Sequence, residues 1–262
     1  MMDSHTGEVM AIGGGRTYTP GAYNWATMKK QPGSAIKPLT VFAPLVELKD
    51  YNEYTLIDDK PFTYRGWTPK NYSRRYYGEV PLKEVVAKSL NASTSELLVK
   101  EVTVPKSYEI ATRDLDLPLL PNDEVPAALA LGGLTEGVST VNMAQAYSAF
   151  TNRGEMTKAH AVLEVVDSEG DIQQPLSGKE IDSKGNPKHV WSEKTAWYMI
   201  RMLQGVVTNG TGRSARLEGG RPVMVKTGTT QESLEGSVTG GTPTVTCSVV
   251  VFNEPGYRDP IA

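Results

Sequence analysis

Three short motifs in this 262-residue chain combine residue types that can carry out acyl transfer. They are Ser34-x-x-Lys37, Ser89-x-Asn91 and Lys226-Thr227-Gly228, and each pattern occurs once. A serine hydroxyl becomes a nucleophile when a base takes its proton, and a lysine amine can be that base while it is neutral. Because motifs this short also arise by chance, the elements that would position them decide whether they matter.

The first motif lies at the start of a predicted helix. Residues 35–49 carry apolar side chains close to helical spacing, and Pro44 is expected to kink or end that helix. Ser34 and Lys37 would then share one helix face. The helix N-terminus would add partial positive charge and free N–H groups where an acyl oxyanion forms. For an isolated motif, the alternative is a serine cap beside a solvated lysine.

The second motif is predicted to lie in a break between two helices. Ser89 and Asn91 would point apart on one helix, because residues two apart do not face each other. Pro81 is typical of a helix start, and Ser93 with Glu96 is typical of a capping box at the start of the next helix. We therefore expect the two side chains to converge in a turn. Loop capping by both residues is the alternative.

The third motif ends a strand predicted over residues 222–229. A lysine cation, the hydroxyls of Thr227 and Thr229 and the flexible Gly228 at a strand edge could grip a peptide carboxylate. The strand backbone could pair with the same peptide. A polar strand end without function is the alternative.

The remaining pattern predicts an α+β chain with strands at both ends. We expect a strand at Glu8–Ile12, a loop over 50–79 and a second C-terminal strand over 244–252. Further expected elements are helices over 139–152 and 192–208, and a hairpin formed by 161–167 with 171–174. Strands from both termini with helices between them favour one mixed sheet closed by the two chain ends.

Composition excludes several function classes. With 39% hydrophobic and 22% charged residues and a net charge of −3, the chain is typical of a globular domain and carries no positive excess for nucleic acid. The single cysteine, Cys247, rules out an internal disulfide and a cysteine-built zinc site. Three scattered histidines leave little for metal or Ser-His-Asp chemistry, so catalysis here has to use Ser, Lys, Asp or Glu.

Together the three motifs resemble the active site of the penicilloyl serine transferases. The flanking sequence resembles the transpeptidase domain of class A (bifunctional) penicillin-binding proteins, from residue 6 to about 255. The segments that carry this likeness are Thr6–Ala11, Gln31–Pro38, Thr68–Tyr72 with Gly78, Leu131–Gly133, Met143–Tyr147, Asn209–Gly212 and Val225–Gln231.

The resemblance implies a single transpeptidase domain over 1–262 with a β-lactamase/transpeptidase-like fold. In that fold an antiparallel sheet, built from both chain ends and flanked by helices, takes residues 1–49 and 155–262. A mostly helical part takes residues 50–154. An upstream glycosyltransferase domain and a membrane anchor, which this chain does not contain, are also implied.

The resemblance also implies a role for each motif residue. Ser34 is the nucleophile that attacks the D-Ala-D-Ala carbonyl, Lys37 is its general base, and Ser89 passes a proton to the leaving D-alanine. The substrate-binding residues are Asn91, which holds the substrate amide and Lys37, and the carboxylate-orienting segment Lys226, Thr227, Gly228 and Thr229. The backbone N–H groups of Ser34 and Thr229 would form the oxyanion hole.

The implied reaction is cross-linking of peptidoglycan stem peptides at the extracytoplasmic face of a bacterial membrane. An amine of a neighbouring stem peptide, or water, attacks the acyl-enzyme, and β-lactams trap Ser34 because they mimic D-Ala-D-Ala. No metal, organic cofactor or nucleic acid is expected. Transpeptidase and carboxypeptidase activity are not separated by the sequence.

Two departures and two main alternatives remain. Residues 235–243 lack the aromatic-rich stretch that the family shows ahead of Thr-Pro, and the chain ends at 260–262, where the family begins a C-terminal helix. A serine β-lactamase needs a base for deacylation, typically the Glu of a Glu-x-x-Leu-Asn segment. The one Leu-Asn in this chain is Leu90-Asn91, and the residue three before Leu90 is Ala87. A β-lactam sensor would use the same acylation as a signal. A structural remnant is disfavoured because all three motifs are intact.

Overall fold

The computed structural model describes residues 1–15, 20–21, 23–173, 187–230 and 235–253. Its strands are β1 (Met2–Asp3), β2 (Leu56–Asp59), β3 (Gly78–Pro81), β4 (Glu155–Met156), β5 (Val165–Val166), β6 (Ile172–Gln173), β7 (Lys188–His189), β8 (Met224–Thr229), β9 (Glu235–Gly241) and β10 (Val245–Phe252). Its α-helices are α1 (Ala43–Lys49), α2 (Leu82–Lys88), α3 (Asn91–Leu97), α4 (Val104–Glu109), α5 (Pro126–Leu131), α6 (Thr140–Thr151) and α7 (Glu193–Thr208). Wider π-helical turns cover Pro38–Phe42, Leu98–Val102 and Ile110–Asp114, and short 3₁₀ turns cover Trp25–Thr27, Gly33–Ile36, Pro121–Asp123, Arg213–Ala215 and Glu218–Gly220.

The main sheet is antiparallel and uses both ends of the chain. Its strand order is β1, β10, β9, β8, so the N-terminal strand pairs with the last strand of the chain. The predicted fold class, α+β with an antiparallel sheet closed by both termini, is confirmed. Strand β8, which carries Lys226-Thr227-Gly228, lies at one edge and leaves its outer backbone groups unpaired within the sheet.

Strand β9 was not predicted, because its sequence has little strand character. Three of its seven residues are glycines, which are depleted from strands. The structure gives a reason for two of them. A side chain at Gly240 would overlap the carbonyl oxygen of Met224 on β8, and one at Gly241 would crowd the carbonyl oxygen of Val245. Close packing of the neighbouring backbones therefore favours glycine at positions 240 and 241 over residues with a high strand propensity.

Residues 33–49 form one helical run through the centre of the molecule, with Ser34 and Lys37 in its first turns. The side chains of Ile36, Leu39 and Phe42 are fully buried. Of the two expected outcomes at Pro44, a kink or an end of the helix, the end is wrong: helix α1 continues through Pro44 after a π-helical turn. Pro44 has no N–H for the carbonyl of Thr40, and that carbonyl instead accepts a hydrogen bond from Ser107 Oγ at 2.7 Å.

Helices α6 and α7 pack against the main sheet and close the core beside the central helical run. Both follow the predicted ranges, and Ser139 and Ser192 cap them as N-terminal hydroxyls, Ser139 in a capping box with Asn142. Tyr147 and Phe150 meet edge to face at 5.6 Å between ring centroids, and Phe150 stacks on Trp191 at 6.5 Å. These buried rings fix α6 against the residues that precede α7.

Some local predictions were wrong or incomplete. Glu8–Ile12 does not form a strand; only isolated bridges from Glu8 to His160 and from Val9 to Met2 are present. The expected loop over 50–79 contains β2 and the start of β3, which pair with each other. The hairpin around Gly170 is confirmed in a shorter form, as β5 paired with β6.

The capping box expected at Ser93 is also wrong. Helix α3 already begins at Asn91, and Ser93 is buried inside it, with no hydrogen-bond partner for its hydroxyl among the described residues. The predicted division into a sheet part (1–49 and 155–262) and a helical part (50–154) stays a prediction. Among the described residues no helix is long and apolar enough to cross a membrane.

Candidate active site

The turn that carries Ser34 is fixed by hydrogen bonds from two other elements. Tyr147 Oη, buried in α6, donates to the carbonyl of Ala35 at 2.6 Å, and Ser237 Oγ on β9 donates to the carbonyl of Pro32 at 2.8 Å. Ala35 is fully buried, whereas Ser34 is half-buried and faces an open cleft. The neighbours of the hydroxyl are therefore anchored while the hydroxyl itself stays accessible.

Glycines allow three backbones to converge beside Ser34. Gly33 has a φ of 53°, and a Cβ there would lie 2.9–3.1 Å from backbone atoms of Thr229. Gly132 has a φ of 74°, and a Cβ there would overlap the carbonyl oxygen of Gly33. Only glycine adopts such conformations without strain and permits such an approach. The edge strand β8 consequently lies directly against the start of the Ser34 turn.

Ser89 and Asn91 converge in a turn, as predicted. Ser89 ends helix α2 in the left-handed conformation, with φ 57°, and Asn91 begins α3. Lys37 Nζ reaches both residues: it donates to the Asn91 Oδ1 at 2.6 Å and to the Ser89 carbonyl at 3.0 Å, and it lies 3.4 Å from Ser89 Oγ. The first two motifs therefore form one hydrogen-bonded cluster.

The third motif joins the same cluster through Ser89. Lys226 Nζ donates to Ser89 Oγ at 2.8 Å and to the carbonyl of Thr227 at 2.9 Å. The Ser89 hydroxyl thus lies between the two lysine amines. Because a hydroxyl can both donate and accept, this placement suits a group that passes a proton between neighbours.

Both lysines are fully buried, which changes their acid–base behaviour. Burial lowers the pKa of Lys226 from 10.5 to about 7. Burial, and then the nearby charge of Lys226, lowers the pKa of Lys37 well below 10.5. An apolar surrounding disfavours the charged ammonium, and a second cation disfavours it further. Among the described residues neither lysine forms an ion pair with a carboxylate that would favour its charged form.

The cleft above this cluster has a volume of about 1090 Å³. Three of the predicted site residues, Ser34, Asn91 and Thr229, line it, and Trp67 and Tyr72 contribute aromatic side chains. Glu235 is the one carboxylate among the described lining residues; its Oε2 accepts the N–H of Gln31 at 2.8 Å. Residues 235–243, which lack the aromatic residues of the family, include the whole of β9. The first residue of β9 is Glu235.

The structure places Thr227 and Gly228 differently from the other predicted residues. Thr227 is not part of the cleft lining; its hydroxyl lies 2.6 Å from that of Thr211, in the loop after α7. A side chain at Gly228 would overlap the carbonyl oxygen of Pro32. Gly228 thus lets β8 pack on the Ser34 turn, which is a packing role.

Four residues around the site had no predicted role. Gly132 and Tyr147 support the Ser34 turn, Thr211 pairs with Thr227, and Asn71 hydrogen-bonds the start of α3. All four lie in segments that carry the family likeness, which was the only sequence signal for them. Within the described part of the chain no group of His, Cys, Asp and Glu side chains could hold a metal ion.

In chemical terms the arrangement offers a serine hydroxyl at the foot of an open cleft, a buried amine able to take a proton, and a second hydroxyl between two amines. The start of a helical turn and an edge strand meet beside the serine. Nucleophilic attack on a carbonyl, stabilisation of the resulting oxyanion and protonation of a leaving amine use groups of these kinds.

Comparison with known proteins agrees with this chemistry. The family described as "Penicillin binding protein transpeptidase domain" matches residues 1–113 and 120–249. Penicillin-binding protein 1F of Bacillus subtilis is 38% identical over 230 residues, which cover 87% of this chain and 30% of that protein. Penicillin-binding protein 1A of Neisseria flavescens is 30% identical over 279 residues, covering 100% of this chain and 34% of that protein.

Solved structures show the same fold. The penicillin-binding protein PonA1 of Mycobacterium tuberculosis superposes with a TM-score of 0.79 at 23% identity, over 99% of this chain and 69% of that one. A second structure of PonA1, in complex with penicillin V, gives 0.74 at 21% identity, over 93% and 65%. The chain spans about a third or less of the length of the two curated relatives described above.

Proposed function

Because this chain belongs to the penicillin-binding protein transpeptidase domain family, we propose that it is a serine D,D-transpeptidase that cross-links peptidoglycan stem peptides. The observation that carries the proposal is the position of Ser89 Oγ, 2.8 Å from Lys226 Nζ and 3.4 Å from Lys37 Nζ. This three-motif cluster lies beneath a cleft lined by Ser34. Acyl transfer to an amine needs a base, a proton shuttle and an accessible nucleophile, and we assign these roles to Lys37, Ser89 and Ser34.

The proposed first step forms an ester on Ser34. Its Oγ attacks the carbonyl carbon of the penultimate D-alanine, and its proton moves to the neutral amine of Lys37. The backbone N–H groups of Ser34 and Thr229 stabilise the oxyanion. The proton held by Lys37 passes through Ser89 Oγ to the nitrogen of the terminal D-alanine. The C–N bond then breaks and the D-alanine leaves. An amine of a second stem peptide then attacks the ester, which regenerates the Ser34 hydroxyl.

Lys226 has a separate role in the proposal. Its ammonium, with the Thr229 hydroxyl, attracts the terminal carboxylate of the donor peptide, and Thr227 supports this group through its bond to Thr211. In the free protein its pKa of about 7 leaves the amine partly neutral. A bound carboxylate favours the charged form, so binding of the donor would recharge Lys226. The same carboxylate in a β-lactam would use the same contact.

Several wider expectations belong to the same proposal. The relatives are bacterial penicillin-binding proteins, and one structural neighbour was solved with penicillin V, so we propose that β-lactams acylate Ser34 here too. We also propose that the chain acts at the extracytoplasmic face of the membrane as one domain of a longer protein. Donor and acceptor stem peptides are its proposed partners, and water is the competing acceptor that would give carboxypeptidase activity.

The β-lactamase alternative is disfavoured because the one carboxylate among the described cleft-lining residues is already held by other groups. Fast deacylation needs a base aimed at a water beside the ester. Glu235, the one acid among the described lining residues, is occupied by the Gln31 N–H and lies 3.6 Å from the ammonium of Lys30. A sensor domain would share the acylation step and lack the transfer to an amine.

Nitrocefin turnover tests this choice. We expect a burst of one equivalent of hydrolysed nitrocefin per protein, followed by slow release, because general-base assistance worth about 10²–10⁴ in rate is missing from deacylation. Addition of a stem-peptide amine acceptor together with a D-Ala-D-Ala donor should release D-alanine and form a cross-linked product. Sustained rapid nitrocefin turnover would contradict the transpeptidase proposal, and acylation without any cross-linked product would favour the sensor.

A further inference from the structure

A buried amide–carboxylate pair lies behind the Ser89–Asn91 turn. Asn71 is 3% exposed and Asp59 is 1% exposed. Asn71 Nδ2 donates to Asp59 Oδ2 at 2.7 Å and to the carbonyl of Arg75 at 2.9 Å. Because a carboxylate without a proton can only accept, the NH₂ group of Asn71 has to face Asp59. The orientation of the Asn71 amide is therefore set by two acceptors.

The oxygen of that amide supplies the N-terminal cap that α3 lacks. Leu90, the residue before the helix, has no polar side chain to cap it. Asn71 Oδ1 instead accepts the N–H of Asn91 at 2.7 Å and the N–H of Ala92 at 3.1 Å. The first N–H groups of a helix have no partner within the helix, so this contact from a distant segment fixes where α3 begins.

The start of α3 is also the place where Asn91 meets Lys37. Asn91 Oδ1 accepts from Lys37 Nζ at 2.6 Å, and Asn91 Nδ2 donates to the carbonyl of Lys70, the residue before Asn71. Both the backbone and the side chain of Asn91 are thus held by the segment that contains Asn71. A displacement of this segment would move the amide that holds the Lys37 amine.

We propose that Asn71, oriented by Asp59, is a positioning residue for the acyl-transfer site: it fixes Asn91 and, through Asn91, the amine of Lys37. This inference rests on the proposed function, since it gives a role to residues that support the base. Asn71 acts by holding another side chain in the productive geometry, and a misplacement of about 1 Å can cost about 10²-fold in rate.

Asp59 acts in this arrangement as a hydrogen-bond acceptor. Its Oδ2 accepts from Asn71 Nδ2 and from the N–H of Tyr77 at 3.1 Å, whereas Oδ1 has no partner among the described residues. An asparagine at position 59 can place its carbonyl oxygen at the Oδ2 position and its NH₂ group at the unpartnered one. Asp59→Asn therefore keeps both hydrogen bonds and removes the charge, at the cost of an NH₂ group without an acceptor among the described residues. Asp59→Ala removes both bonds.

The test separates the acylation rate from non-covalent binding. Stopped-flow experiments with a fluorescent penicillin over a range of concentrations give the dissociation constant of the first complex and the rate of acylation. We expect Asn71→Leu to lower the acylation rate by about 10²-fold, with a smaller change in the dissociation constant. Asp59→Ala should lower the rate in the same way, and Asp59→Asn should acylate at close to the wild-type rate.

Ser4→Ala is the matched control for lost stability. The Ser4 hydroxyl is fully buried and lies 2.8 Å from Thr246 Oγ1, at the end of the main sheet that β1 forms. The Ser4→Ala variant should have a lower melting temperature than the wild-type protein and the same acylation rate. A folded Asn71→Leu that acylates at the wild-type rate would overturn the inference, as would an Asp59→Asn variant as slow as Asp59→Ala. If the wild-type protein forms no adduct, the proposed function itself fails.

Discussion

The Lys226→Met variant should be more stable than the wild-type protein at low pH and less stable than it at high pH. Lys226 is fully buried without a carboxylate partner among the described residues, and burial lowers its pKa from 10.5 to about 7. The unfolded chain binds this proton more tightly than the folded one. Protonation below pH 7 therefore opposes folding, and the penalty disappears as the pH rises from 7 towards 10.5.

The size of the effect follows from the two pKa values. The gap between 10.5 and about 7 corresponds to a penalty of about 5 kcal/mol at pH 6, which falls to about 1 kcal/mol at pH 10. Methionine fills the same space without a charge. It loses the hydrogen bonds to Ser89 Oγ and the Thr227 carbonyl, which costs about 1–3 kcal/mol at every pH. Lys226→Met should thus be more stable than wild type at pH 6 and less stable at pH 10.

Urea denaturation of both proteins at pH 6, 8 and 10 measures this crossover. Lys100→Met, which removes an exposed lysine paired with Glu96, should show no such pH dependence. The methionine variant at position 226 should also lose acylation by penicillin, since it lacks the cation for the carboxylate. A stability difference between Lys226→Met and wild type that stays constant from pH 6 to pH 10 would refute the reasoning about the buried amine.

Three other predictions concern single substitutions. Lys37→Arg should abolish acylation because arginine does not release its proton. Lys226→Arg should keep part of the acylation rate because a cation remains. Equal residual rates of the two variants with a fluorescent penicillin would contradict the separate roles of the two lysines. Gly132→Ala should lower the melting temperature and slow acylation, because the added Cβ would overlap the Gly33 carbonyl at a φ of 74°; thermal unfolding that matches wild type would count against the close packing behind Ser34. Thr211→Val removes the 2.6 Å contact with the Thr227 hydroxyl and should raise KM for D-Ala-D-Ala peptides, with a smaller effect on kcat; an unchanged KM would separate Thr227 from carboxylate binding.

The sequence predicted the site more completely than the elements around it. Ser34 and Lys37 were placed at a helix start and Ser89 and Asn91 in a break between helices, and the structure confirms both placements. These predictions succeeded because they depend on the geometry of neighbouring residues. That Lys226 lies beside Ser89, 137 positions earlier in the chain, followed only from the family likeness and not from any local pattern. The catalytic roles stay predictions.

Three of the failures share one physical cause: contacts with distant segments outweighed the local sequence signals. The Ser93 cap failed because Asn71 caps α3 from another segment. The helix does not end at Pro44, because Ser107 Oγ donates to the carbonyl of Thr40, for which the proline has no N–H. Strand β9 was missed because contact with its neighbours selects glycine at 240 and 241. Propensity and capping rules use only residues that are close in the sequence, so they do not include contacts with distant segments.

Location of the penicillin adduct is the most direct test of the central claim, that Ser34 is the nucleophile of an acyl-transfer site. The protein is incubated with penicillin, its intact mass is measured, and the adduct is mapped by peptide mass spectrometry. We predict one adduct per chain, on the peptide that contains Ser34, and none on a folded Ser34→Ala variant. An adduct that persists in Ser34→Ala, or that maps to Ser89 in the wild-type protein, would contradict the account.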